Sequence, residues 1–150
     1  MKHTIFLVLV FISCKANSQE MEGFIVTNSE SDVVSTTDKL ESIIKEKGLK
    51  LFSRIDHSAG AANVDLALNP TTLLIFGNPQ VGTKLMQCDQ RMGIELPMKI
   101  LIWSDDSGVT KVGFFDPTEY TKKYDLSDCQ EVLNKVKAAL NGIVNAAVLN

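Results

Sequence analysis

The chain has 150 residues, enough for one folded unit with its own core. Apolar residues make up 45% and charged residues 22%, an ordinary globular balance that excludes a disordered or fibrous chain. The formal net charge is −3, with no Lys/Arg cluster, which excludes nucleic acid as a partner because phosphate backbones demand a basic surface.

Lys2 and His3 form a short basic start, followed by the unbroken apolar run Ile5–Ile12. That run is too short to cross a bilayer as a helix, which takes roughly 20 residues. A basic start and a short apolar core form the pattern of an export signal. Ala16-Asn17-Ser18 offers small residues at the two positions a signal peptidase reads, so residues 1–18 are expected to be removed and one domain to span 22–150. The alternative exit is the loose lipobox Phe11-Ile12-Ser13-Cys14, which would tether the protein to a membrane through Cys14. Both place the protein outside the cytoplasm, periplasmic, secreted or anchored. Removing 1–18 takes away two lysines and no acid, moving the net charge from −3 to −5.

Phe24–Thr27 reads as a first strand. Ser29 or Ser31 then caps a helix with Asp32 in its first turn, Val33, Thr37, Leu40, Ile43 and Ile44 on its inner face and Gly48 as its stop. Leu49–Ile55 alternates as a strand, with Leu49, Leu51, Ser53 and Ile55 on one side. The small-residue segment that follows has room for a helical turn over Ala61–Leu66. Thr71–Phe76 is a strand, broken by Gly77-Asn78-Pro79. Asn78 and Pro79 read as the cap and first residue of a second helix that Gly93 ends. Met98–Trp103 is a strand, Ser104–Gly108 a turn, and Val109–Phe115 the hairpin partner. Ser127 with Gln130 forms a capping box for the last helix, whose stripe is Leu133, Val136, Leu140, Ile143, Val144 and Ala147.

The order β-α-β-β-α-β-β-α predicts an α+β fold, an antiparallel-rich sheet with helices packed on it. Thr71–Phe76 and Ile100–Trp103 carry large apolar groups on both sides. The second sheet face therefore needs a cover, either the second helix or a second copy in a homodimer.

Ile55-Asp56-His57-Ser58-Ala59-Gly60-Ala61, Pro70 through Pro79, Gly82-Thr83-Lys84-Leu85-Met86 and Glu95-Leu96-Pro97 together form a specific string. On these motifs the chain resembles domain-of-unknown-function family 302 from about Phe24 to Asp125, with departures at Glu95 and at Gly113-Phe114-Phe115. The resemblance implies a curved antiparallel sheet with helices on one side, similar to the TATA-binding-protein-like arrangement. It implies bacterial or archaeal kinship, no nucleic-acid binding and no established reaction.

Candidate chemistry is sparse. His57 is the one histidine left after residue 18; beside Asp56 it offers a general base or a haem ligand, or simply a loop anchor. Gly77-Asn78-Pro79-Gln80-Val81-Gly82-Thr83 is a glycine-bearing strand-to-helix turn whose free N–H groups suit an anion, or else a capped helix start. Cys88 and Cys129 either pair as a disulfide or stay as small buried apolar groups. One histidine and two distant cysteines have no zinc spacing, so neither a metal nor a cofactor is expected. Met86, Met92 and Met98 suit core packing, and Asp105-Asp106 a turn. No catalytic triad, paired carboxylates or dinucleotide fingerprint is present, so the catalytic residues stay unassigned.

The expected function is therefore a binding or accessory domain. It would hold a small ligand or an envelope protein near Asp56, His57, Gly77, Asn78, Gly82 and Thr83. The alternatives are a small enzyme or haem protein using His57, and a structural homodimer.

Overall fold

A computed structural model describes residues 21–149; the export signal and the lipobox at Cys14 lie outside them. Five strands form one sheet in the order β1-β5-β4-β3-β2, with every neighbouring pair antiparallel. They are β1 Phe24–Ser29, β2 Lys50–Asp56, β3 Thr71–Gly77, β4 Met98–Ser104 and β5 Thr110–Phe115. The helices are α1 Val33–Glu46, α2 His57–Ala62, α3 Pro79–Cys88 and α4 Gln130–Val148. The fold is α+β, as the element order predicts.

Strands β1 and β2 lie at opposite edges, so α1 must cross the sheet between them. It packs on β2, β3 and β4 and against α4. The inner sheet face supplies Leu74, Phe76, Ile100, Ile102, Val112 and Phe114, which meet Val33, Leu40 and Ile44 of α1 and Leu140, Ile143 and Val144 of α4. Each such side chain withdrawn from water contributes about 1.5–3 kcal/mol. A second cluster, Leu85, Met92, Leu126, Cys129 and Leu133, joins α3 to the start of α4. There Cys88 and Cys129 form a disulfide with Cα atoms 6.5 Å apart.

Several local expectations are corrected. The cap of α1 is Asp32, whose Oδ1 accepts from the Ser35 N–H at 2.8 Å, while Ser29 hydrogen-bonds Thr36 Oγ1 in the interior. The short helix starts at His57 rather than Ala61, because Asp56 accepts from the Ala59 N–H and caps it there. The second helix ends at Cys88, and Asp89 caps a separate 3₁₀ turn over Gln90–Ile94. The capping box is not made: the Ser127 hydroxyl donates to Asp125, and Ser127–Cys129 is a 3₁₀ turn running into α4. In β2 the register shifts between Leu51 and Ser53, so Leu51 pairs with Phe76 on the core side while Ser53 and Ile55 pair with Ile75 and Leu73 on the other. An inserted residue of this kind sends everything beyond it to the opposite face.

The stop of α1 is as expected. Gly48 takes φ +69°, its N–H donates to the Lys45 carbonyl, and the Leu49 N–H donates to that of Ile44. This paired closure turns the chain at Leu49 back into β2 at the edge of the sheet.

Helices α1 and α4 both pack on the inner sheet face. Helix α3 packs against the 3₁₀ turns and α4, so it does not supply the cover. Phe24 lies across Gly113 with Trp103 beside it, their ring centroids 6.1 Å apart. A Cβ at Gly113 would sit 2.5 Å from the Phe24 ring, so a side chain there would displace Phe24. Val26 and Phe115 remain nearly half exposed.

Candidate functional site

The hairpin register decides where the sequence motifs go. Asp56 pairs with Thr72 and Lys50 pairs with Gly77. Asp56 and His57 therefore sit at one end of β3 and the Gly77-Asn78 turn at the other. Six residues at about 3.4 Å each separate them by roughly 20 Å. The expected site around His57 does not assemble: Gly77, Asn78, Gly82 and Thr83 come together, and Asp56 and His57 do not join them.

At the His57 end the chemistry is local. The Asp56 carboxylate accepts from the Ser58 hydroxyl at 2.6 Å and the Ala59 N–H at 2.9 Å, and these bonds hold its pKa below the ordinary value. The His57 ring is exposed and makes no hydrogen bond or ion pair among the described residues. Helix α2 has no buried residue. Nothing there orients the imidazole or excludes water from it.

The Asn78 end is different. The side-chain oxygen of Asn78 accepts from the Gln80 N–H at 2.9 Å, and its carbonyl accepts from Val81 and Gly82. Pro79 at the first helical position needs no hydrogen bond. The amides expected to hold an anion are thus occupied by the cap. Beyond this turn lies a half-open groove of ≈ 610 Å³ between α3, α4 and the sheet end. That volume is within the roughly 300–1,000 Å³ typical of small-molecule sites.

Each wall has a structural origin. Leu49 and Phe52 come from the start of β2, Phe76 from β3, and Leu96, Pro97 and Met98 from the approach to β4. Val81, Leu85 and Met86 face in from α3. Val132, Val136, Ala139 and Ile143 line the groove from α4 at helical spacing, along the edge of the core stripe that Ile143 belongs to. At Gly82 the helix passes Leu96 closely, where a Cβ would lie 3.5 Å from the Leu96 methyl, an ordinary contact. The disulfide fixes the far end of α3 to the start of α4, so the two helical walls are covalently joined.

Sequence reasoning found the turn and missed the walls. The signal was the width of the apolar surface on α4, where Val132 and Ala139 extend the stripe on the side of Val136 at i, i+4 and i+7.

Asp89, Arg91, Glu95, Tyr120 and Tyr124 are not part of the groove's lining. Asp89 accepts from the Arg91 guanidinium at 2.7 and 3.0 Å and from the Asp125 N–H at 3.1 Å. The Arg91 side chain, then backbone N–H donors, hold its carboxyl far below the usual range. The Tyr124 hydroxyl donates to Glu95 at 2.9 Å, and burial first, then the nearby Glu95 charge, pushes the Tyr120 phenol up to about 12. Among the described residues no group of three or more His, Cys, Asp or Glu side chains is placed to hold a metal.

The family model described as "Domain of unknown function DUF302" matches residues 25–143. A crystal structure of an uncharacterized conserved DUF302 protein from Bacillus stearothermophilus superposes with a TM-score of 0.76 at 18% identity, covering 85% of this chain and 99% of that one. The chain is also 36% identical over 122 residues, 81% of its length, to proteins named Fluoride-specific ion channel FluC 1 from Brucella suis and Brucella abortus. It spans 48% and 45% of those proteins, about half the length of the curated relatives it matches.

Proposed function

The chain belongs to the DUF302 family, and from that premise we propose that it is an exported binding module whose site is the apolar groove between α3 and α4. The observation that carries this reading is a concavity of ligand size walled by aliphatic and aromatic side chains from every neighbouring element. Such a surface left to water is costly, and a ligand that covers it recovers the hydrophobic free energy. Export is supported by the basic start and apolar run of residues 2–12 and by the Cys88–Cys129 disulfide, a bond that persists in oxidising compartments.

The test is to close the groove. Ala139 is an exposed residue on its α4 wall, so Ala139→Trp fills the space with little demand on the core. The expected result is loss of binding of a neutral apolar dye, with the denaturation midpoint nearly unchanged. Undiminished dye binding by the tryptophan variant contradicts the reading.

A second reading comes from the relatives named as fluoride channels: the domain serves beside a membrane protein as an accessory. The chain spans about half of those relatives, and none of the described helices is long and apolar enough to cross a membrane. The groove does not suit fluoride either, because a small, strongly hydrated anion needs convergent donors to replace its water. Fluoride ¹⁹F resonances should neither shift nor broaden on adding the protein; a saturable shift would instead favour the ion as ligand.

A further inference from the structure

The charges around the groove name a ligand class, an inference that rests on the groove being the binding site. Its lining includes two charged residues, Lys84 and Lys135, and no acid. This occurs in a chain with 18 acids against 15 Lys and Arg. The Lys84 ammonium makes no hydrogen bond or ion pair among the described residues. Lys135 pairs with Glu131 at 2.6 Å, but both ends are largely exposed, and such a surface pair is weak enough to be exchanged for another anion. A third cation touches a lining residue: the Lys50 ammonium lies 5.0 Å from the ring of Phe52, which lines the groove.

An apolar trough with basic groups at its rim and no acid in its lining selects both ends of a ligand. A polyol or nucleotide would bury hydroxyls and amides against Leu85, Leu96 and Val136, which offer them no partner. A cationic amphiphile would meet like charge at the rim. The one lining amide side chain considered as a polar anchor, Asn78, already spends its oxygen on the Gln80 N–H.

We propose that the groove takes a single-chain anionic amphiphile. The alkyl or aryl body lies between α3 and α4, and the carboxylate or comparable anionic head meets Lys84, with Lys135 and Lys50 flanking it. Met86 on the α3 wall is unbranched and adapts to chains of differing shape.

The experiment is calorimetric titration of the disulfide-bonded protein with three probes that share one alkyl chain, all below their micelle concentrations. They are dodecanoate, dodecyltrimethylammonium and the uncharged dodecyl maltoside. The inference expects dodecanoate to bind one to one and at least about tenfold more tightly than the cation. It expects Lys84→Glu to remove that preference while leaving the uncharged probe unaffected, and added salt to weaken dodecanoate selectively. Equal affinity for all three heads would overturn the anionic assignment while the groove stands. Failure of all three to bind would overturn the groove itself. Association of the protein with anionic vesicles, without binding of monomeric dodecanoate, would overturn the free-ligand assignment.

Discussion

The two ends of β3 look alike in the sequence and unlike in space. Each is a strand followed at once by a side-chain-capped helix: Asp56 caps α2 and Asn78 caps α3. At the Asp56 end the helix is six residues of small side chains with nothing buried, and the imidazole beside it stands in water. At the Asn78 end the helix buries Leu85, is tied by a disulfide to α4 and frames a groove. A capped turn is thus only a way to start a helix. It becomes part of a site when the helix it starts has a second wall to face.

The largest expected effect lies at the groove end. The disulfide closes a loop of 41 residues, so Cys88→Ser with Cys129→Ser should cost about 4 kcal/mol of stability on the chain-entropy account. A lower denaturant midpoint in the double variant, reproduced by reductant in the parent, is the check. Ligand binding should weaken in parallel, because the α3 wall loses its tie. No comparable change is expected from any substitution in α2.

A smaller effect separates the two motif residues. Asn78→Ala removes the oxygen that receives the Gln80 N–H and should cost about 1 kcal/mol by chemical denaturation. His57→Ala removes an exposed ring without a partner and should stay within about 0.5 kcal/mol, with groove binding unchanged. A large loss from His57→Ala would mean that the Asp56 end has a role this comparison denies it.

The smallest effect is acid sensitivity, and both ends share it. The carboxyl of Asp89 is depressed chiefly by Arg91, that of Asp56 by Ser58 and then Ala59, and that of Asp105 is held at about 2 by Ser107 and then Val109. Carboxylates with lowered folded-state values add stability above the unfolded value of about 4 and lose it as the pH falls through the folded one. The denaturation midpoint should therefore be flat from about pH 8 to 5 and decline from about pH 4 downward. A decline on the alkaline side of pH 5 would contradict these assignments.

Much of the sheet is legible from sequence. Thr71–Phe76 and Met98–Trp103 hold the apolar runs Leu73–Phe76 and Ile100–Trp103 between proline, glycine and turn residues, and the strands begin at Thr71 and Met98 and end one residue beyond the expected span. The family string predicts membership, and the family model and the superposed structure bear it out. What escaped was set by contacts remote in sequence. The alternation of β2 reads as regular, yet the shift after Leu51 turns Ser53 and Ile55 outward. The box at Ser127 fits the rule for a helix start, yet Ser127 bonds to Asp125 and Cys129 is taken into the disulfide.

The error over His57 has a simpler cause. β2 and β3 are consecutive and antiparallel, so the residue after the first and the residue after the second lie at opposite ends of the pair. The topology expected from the sequence already contained that separation.

The central claim is that ligand binds at the Asn78 end and not at the His57 end. The most direct measurement is a methyl-resolved ¹H–¹³C titration of the disulfide-bonded protein with dodecanoate. The account predicts saturable shifts at Leu85, Met86, Leu96 and Val136, and none at Ile55, Ala59 or Ala61. Shifts centred on the Asp56–Ala62 segment, or the absence of any saturable shift, would contradict it.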